Sequence, residues 1–144
     1  MNEMKGRVMA IDLGEKRIGI AISDPLRMVA KGHSVIKRKS RKEDFARYQA
    51  IIHEQEITLV VIGLPILMSG IEGEKAAWAR SYAADFEKVT TTPIVLWDEA
   101  LTSKKAEASL RARGKRNKQI KARIDAVAAA FILEDYLESH SDYS

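Results

Sequence analysis

Along this chain the apolar positions change their spacing several times, and each change predicts an element. Arg7 to Asp12 (RVMAID) and Arg17 to Ser23 (RIGIAIS) are short, mostly apolar runs joined by the glycine-containing turn Leu13 to Lys16, which reads as a β-hairpin. Gly32 to Arg38 (GHSVIKR) is a weaker third strand whose charged end suits a sheet edge. At Ser40 the period becomes helical. Ser40 and Glu43 form a capping-box pattern that opens a helix through about His53, with Phe45, Tyr48, Ile51 and Ile52 on its inner stripe.

Thr58 to Ile62 (TLVVI) is apolar at consecutive positions and rich in β-branched residues, as expected of a central strand covered on both faces. Gly63, Pro65, Gly70 and Gly73 then mark a loop, and a helix from about Glu74 to Glu87 is expected to turn Ala77, Trp78, Tyr82 and Phe86 inward. Pro93 to Trp97 (PIVLW) is the next buried strand, ending in Asp98 and Glu99. Thr102 or Ser103 can cap a helix that runs to about Arg113 and is stopped by Gly114. The segment 114–120 predicts a flexible basic loop, since Gly114 to Gln119 (GKRNKQ) holds no apolar residue. A last helix from about Lys121 to Glu138 carries Ile124, Val127, Ala128, Phe131, Ile132 and Leu137, and the tail 139–144 is expected to fray.

Antiparallel strands first, then strands alternating with helices, predict one three-layer α/β domain over residues 1–144. Parallel pairing of the later strands places functional residues at the carboxyl ends of strands.

Composition narrows the chemistry. The chain of 144 residues has no cysteine, which excludes thiolate metal sites, disulfides and a cysteine nucleophile. His33, His53 and His140 are scattered without ligand spacing, so carboxylates are the place to look for a metal. No run approaches the ~20 apolar residues of a membrane span, and the expectation is a cytoplasmic protein with no membrane partner. The net charge of +4 is uneven: one basic cluster is Lys31, Lys37, Arg38, Lys39, Arg41 and Lys42, and another runs from Lys104 to Arg123, interrupted by Glu107. Such clusters suit a polyanion, since each neutralised phosphate releases counterions. They also suit a merely solvated face.

Asp12 ends the first strand, Glu99 follows the last strand, and Asp125 opens the final helix. One sheet edge can gather such positions. Magnesium or manganese bound through a few carboxylates can cleave a phosphodiester, and two ions roughly 3.5–4 Å apart can stabilise the attacking and leaving oxygens. Each acid also has a structural explanation: Asp12 as a turn former, Glu99 as a helix-terminus charge, Asp125 as a first-turn acid. Asp98 competes with Glu99 as ligand, because neighbouring strand residues point to opposite faces. Lys16 and Arg17 beside Asp12, and Arg113, Lys115, Arg116 and Lys118 in the basic segment, are the candidate nucleic-acid contacts. Trp78 and Trp97 read as core residues more than as base-stacking platforms.

The motifs AIDLGEKRIGIAISD, VVIGLP with GIEG downstream, DEALTS and RIDAVAAAFILEDYL, in this order, resemble the YqgF family, bacterial proteins of the ribonuclease H-like superfamily related to RuvC-type Holliday junction resolvases. The resemblance covers nearly the whole chain. It implies a ribonuclease H-like fold, a mixed five-stranded sheet with helices on both faces, and a metal-dependent nuclease. Holliday junction resolution and maturation of the 5′ end of 16S ribosomal RNA are the roles it implies. On the family pattern Asp12, Glu99 and Asp125 are the acids. The chain departs from the pattern at Ala100, where an arginine is usual, and at Leu67 and Ser69, where asparagine and aspartate are usual.

Two other functions fit parts of this pattern. A factor that binds structured RNA or DNA without cutting it would need only the basic clusters. A phosphotransferase of the sugar kinase and actin type shares the first-strand DxG loop but needs a second domain, for which 144 residues leave no room. A homodimer would suit a symmetric four-way junction, a monomer the trimming of a single strand.

Overall fold

The computed structural model describes residues 5–65, 73–98 and 117–140, the side chains of 117–126 excepted. Its elements are β1 (Arg7–Leu13), β2 (Arg17–Ser23), β3 (Ala30–Lys37), α1 (Arg41–Gln55), β4 (Ile57–Leu64), α2 (Glu74–Glu87), β5 (Ile94–Asp98) and α3 (Asn117–Ser139). The strands form one mixed sheet in the order β3-β2-β1-β4-β5. β1 pairs antiparallel with β2 and parallel with β4, and β4 pairs parallel with β5. No helix among the described residues is long and apolar enough to cross a membrane.

Alternation along the strands sorts their side chains into two cores. Met9, Ile11, Ile18, Ile20, Val60 and Ile62 meet Phe45 and Tyr48 of α1 and Tyr82 and Phe86 of α2. Val8, Ala10, Ala21 and Val61 meet Ala129, Ile132, Leu133 and Tyr136 of α3 on the opposite face. The sheet is thus the middle of three layers. β4 supplies both cores, which is why its sequence is apolar without a period.

At α1 the cap differs from the expected reciprocal box. Ser40 Oγ accepts from the Glu43 N–H at 3.1 Å, but the Glu43 carboxylate accepts from the Ser40 hydroxyl at 3.0 Å instead of reaching back to the backbone. The reach-back is made by Asp44, whose Oδ1 accepts from the Lys39 N–H at 2.9 Å. The helix ends at Glu56 in the left-handed region (φ 53°), its N–H donating to His53 O and Ile52 O.

Other expectations need correction. Gly63 belongs to β4, paired with Trp97, so the strand passes through the glycine and ends at Leu64. In α2 the inward positions are Ala76, Ala79, Tyr82, Ala83 and Phe86, whereas Ala77 is exposed. β5 is only half-buried because it lies at the sheet edge. α3 begins at Asn117, so 117–120 is helical instead of loop; a polar first turn is invisible to a search for apolar spacing. Ser139 is helical too, and the sheet-facing residues of α3 include Ala129, Leu133 and Tyr136 in place of Phe131. The expected helix ending near Arg113 lies outside the described residues, as do Leu67, Ser69 and Ala100.

Candidate active site

Asp12 sits near the carboxyl end of β1, the middle strand of the sheet, and is 8% exposed. It follows Val8 and Ala10 in the alternation and so lies on the α3 face. Directly opposite on β2 stands Gly19. On the other side Ile11 is level with Ile62, and the next residue of β4 is Gly63. Glycine at both neighbouring positions removes the side chains that would stand beside the carboxylate.

The turn after Asp12 is tight and pinned. The Gly14 N–H donates to Arg17 O at 2.9 Å, and a Cβ at Gly14 would come within 2.5 Å of that same oxygen. Arg38, just after β3, donates from Nη1 to Gly14 O at 2.9 Å, and its backbone N–H donates to Lys16 O at 2.8 Å. The Arg38 guanidinium also lies 4.4 Å from the centre of the half-buried Trp78 ring. Trp78 is therefore neither pure core nor a free stacking platform. Trp97 is half-buried and donates from Nε1 to Asp135 Oδ2 at 2.9 Å.

Of the candidate acids, Asp12 and Asp98 are described. Asp98 is exposed and paired with Leu64, whose side chain packs against Ala76 and Ala79 of α2, so the strand register puts Asp98 on the face away from Asp12. Asp125 lies within α3, one helical turn before Ala129, and its side chain is outside the described residues, as is Glu99. Among the described residues no group of three His, Cys, Asp or Glu could hold a metal ion. Lys16 is exposed in the hairpin turn and Arg17 opens β2 beside it. Arg113, Lys115 and Arg116 lie outside the described residues; Lys118 is in the first turn of α3, its side chain likewise outside them.

Away from Asp12, a buried polar chain ties α1 to α2. Asp44, fully buried, accepts from Tyr82 Oη at 2.9 Å and from Arg47 Nη2 at 2.5 Å, and Tyr82 Oη lies 2.9 Å from Tyr48 Oη. Burial pushes both phenols well above the ordinary tyrosine value, and for Tyr82 the neighbouring Tyr48 and Asp44 add to the effect. Sequence spacing gives no sign of this network, because its partners are 34 and 38 residues apart.

A mixed five-stranded sheet in this order, with helices on both faces, is the ribonuclease H-like fold. The chain belongs to the RuvX Holliday junction resolvase family, whose model matches residues 6–139. A relative from Syntrophomonas wolfei with the provisional name pre-16S rRNA nuclease is 42% identical over 135 residues, covering 94% of this chain and 96% of its own length. A Roseiflexus relative with the same provisional name is 38% identical over 139 residues, covering 96% and 99%. Among solved structures the fold is similar to Thermus thermophilus RuvC in complex with Holliday junction substrate (TM-score 0.58, 18% identity, 94% of this chain and 96% of that one). It is also similar to the fowlpox virus resolvase in complex with Holliday junction DNA (TM-score 0.56, 15% identity, 94% and 99%).

Proposed function

We propose that this protein is a metal-dependent endonuclease that hydrolyses phosphodiester bonds in structured nucleic acid, with Asp12, Glu99 and Asp125 as its carboxylates. Family membership and the nuclease names of its relatives support the reaction class. The observation that carries the site is the nearly buried carboxylate of Asp12, at the end of the middle strand with Gly19 opposite. Its hard oxygen donors, in a chain without cysteine, fit Mg2+ or Mn2+. The register of Asp98 on the opposite face favours Glu99 as the middle ligand.

When bound, divalent metal supplies positive charge to the scissile phosphate and lowers the pKa of the attacking water. The chain's own part is to hold Asp12 rigidly on the strand, keep the neighbouring position free of a side chain, and bring the phosphate backbone against Lys16 and Arg17. Arg113, Lys115, Arg116 and Lys118 extend that contact. The substrates this reading favours are the 5′ end of precursor 16S ribosomal RNA and the four-way DNA junction. The protein works in the cytoplasm, as a monomer on RNA or a homodimer on a junction.

A second reading, binding without cleavage, is favoured by Ala100, which removes a fixed guanidinium suited to a scissile phosphate. Titrating magnesium and manganese against precursor 16S RNA and four-way junction DNA separates the two. The nuclease reading expects metal-dependent cleavage of at least one substrate. Salt-dependent binding with no cleavage at any metal concentration would leave only the second reading.

A further inference from the structure

The basic cluster at the junction of β3 and α1 divides sharply by residue type. Its arginines are engaged with the protein: Arg38 with Gly14 O and the Trp78 ring, Arg41 with Asp85 Oδ2 at 2.6 Å and Ser81, and nearby Arg47 with Asp44. Its lysines are not. Lys37, Lys39 and Lys42 are exposed, and none of them, nor Lys16, forms an ion pair among the described residues. The acids beside them in sequence are turned elsewhere, Glu43 to the Ser40 hydroxyl, Asp44 to Tyr82 and Arg47, and Glu15 toward Lys75 at 3.8 Å.

The backbone beneath these lysines is held firmly. Arg47 Nη2 donates to Lys37 O at 2.7 Å, the Lys39 N–H donates to buried Asp44, and the Arg38 N–H donates to Lys16 O. The antiparallel register sets Lys37 opposite Arg17, level with the turn that follows Asp12. Two strand spacings, on the order of 10 Å, separate Lys37 from β1, and Lys39 and Lys42 continue the ledge past the end of β3 into the start of α1. A duplex strand carries one phosphate per roughly 3.4 Å of axis.

We propose that Lys37, Lys39 and Lys42, with Lys16, form a phosphate-binding ledge that grips the substrate arm about three base pairs from the cleaved bond. The ledge rests on the reading of the protein as a nuclease on structured nucleic acid and names where the uncut part of that substrate lies. Rigid backbone with unpaired lysine tips is the arrangement that binds a phosphate backbone without reading sequence, because the chain is ordered beforehand and only flexible side chains are immobilised.

The test is fluorescence anisotropy in EDTA with a labelled four-way DNA junction and a structured RNA hairpin, across salt concentrations. For K37Q/K39Q/K42Q the slope of log affinity against log salt falls by about 2 to 3, near 0.9 per lost duplex contact. Binding at 0.1 M salt weakens at least tenfold. Lys5→Gln, just before β1 and at the opposite end of that strand from Asp12, leaves both unchanged. If the triple variant melts early, Lys39→Gln and Lys42→Gln are measured singly, each expected to lower the slope by about 0.9. An unchanged slope in protein that cleaves normally overturns the ledge and spares the nuclease. A reduced slope in protein that never cleaves does the reverse, and no binding by the unaltered chain overturns both.

Discussion

Asp12 and Gly19 face each other across the antiparallel β1–β2 pair, so the one acid on the α3 face of β1 has no side chain beside it on β2. Directly opposed Cβ atoms in such a pair stand about 4.5–5.5 Å apart. A methyl group at 19 would therefore enter the space that the proposed site leaves beside the carboxylate for a phosphate.

Gly19→Ala should lower single-turnover cleavage at least tenfold while changing the stability of the fold by no more than about 1 kcal/mol, the usual scale for alanine against glycine within a strand. Cleavage and thermal melting are measured on the same preparation. Unchanged cleavage in the alanine variant would show that the space opposite Asp12 is not used.

The Asp44 network predicts an order of stabilities. Tyr82 gives its only hydroxyl hydrogen to Asp44, so Tyr48 must donate to the Tyr82 oxygen. Tyr48→Phe then removes one hydrogen bond and costs about 1 kcal/mol. Tyr82→Phe removes two and costs more. Asp44→Ala leaves Tyr82 and the Lys39 N–H without their acceptor, takes from Arg47 one of its two acceptors, the other being Lys37 O, and costs about 3 kcal/mol. Urea unfolding of the three variants gives the ranking, and equal losses for the two phenylalanine variants would contradict the donor assignment.

The sheet and the place of Asp12 at a strand end were legible in the sequence because they depend on local pattern: Leu59 to Ile62 is apolar without interruption, and the DxG turn follows a strand. Gly63 misled because a glycine two residues before a proline usually marks a loop, yet here pairing with β5 carries the strand through it. Ala77 was one position out because alanine gives little contrast to a helical period. What joins distant segments was not legible at all. That Gly19 stands opposite Asp12, that Arg38 holds the hairpin turn, and that Asp44 anchors Lys39 all follow from register and packing, which no single segment records.

The loop between β2 and β3 should loosen in acid. Partial burial raises the Asp24 pKa, but the N–H groups of Val29, Met28 and Leu26 outweigh it and hold the carboxyl below its ordinary 3.8. A depressed folded-state value means that this stabilisation is present above the unfolded value and is lost as pH falls through the folded one. Amide signals of Met28 and Val29 should therefore shift together below pH 3.8 and show no such transition in Asp24→Asn. A midpoint above 3.8 in the unaltered chain would contradict the hydrogen-bond account.

Asp12→Asn keeps the shape of the side chain and removes its charge, so it asks whether that carboxylate is needed for cleavage. Cleavage of the preferred substrate is followed under single turnover at saturating magnesium, beside a melting curve and an anisotropy titration. Folding and binding should persist while metal-dependent cleavage is lost. A folded Asp12→Asn protein that cuts at the rate of the unaltered chain would contradict it.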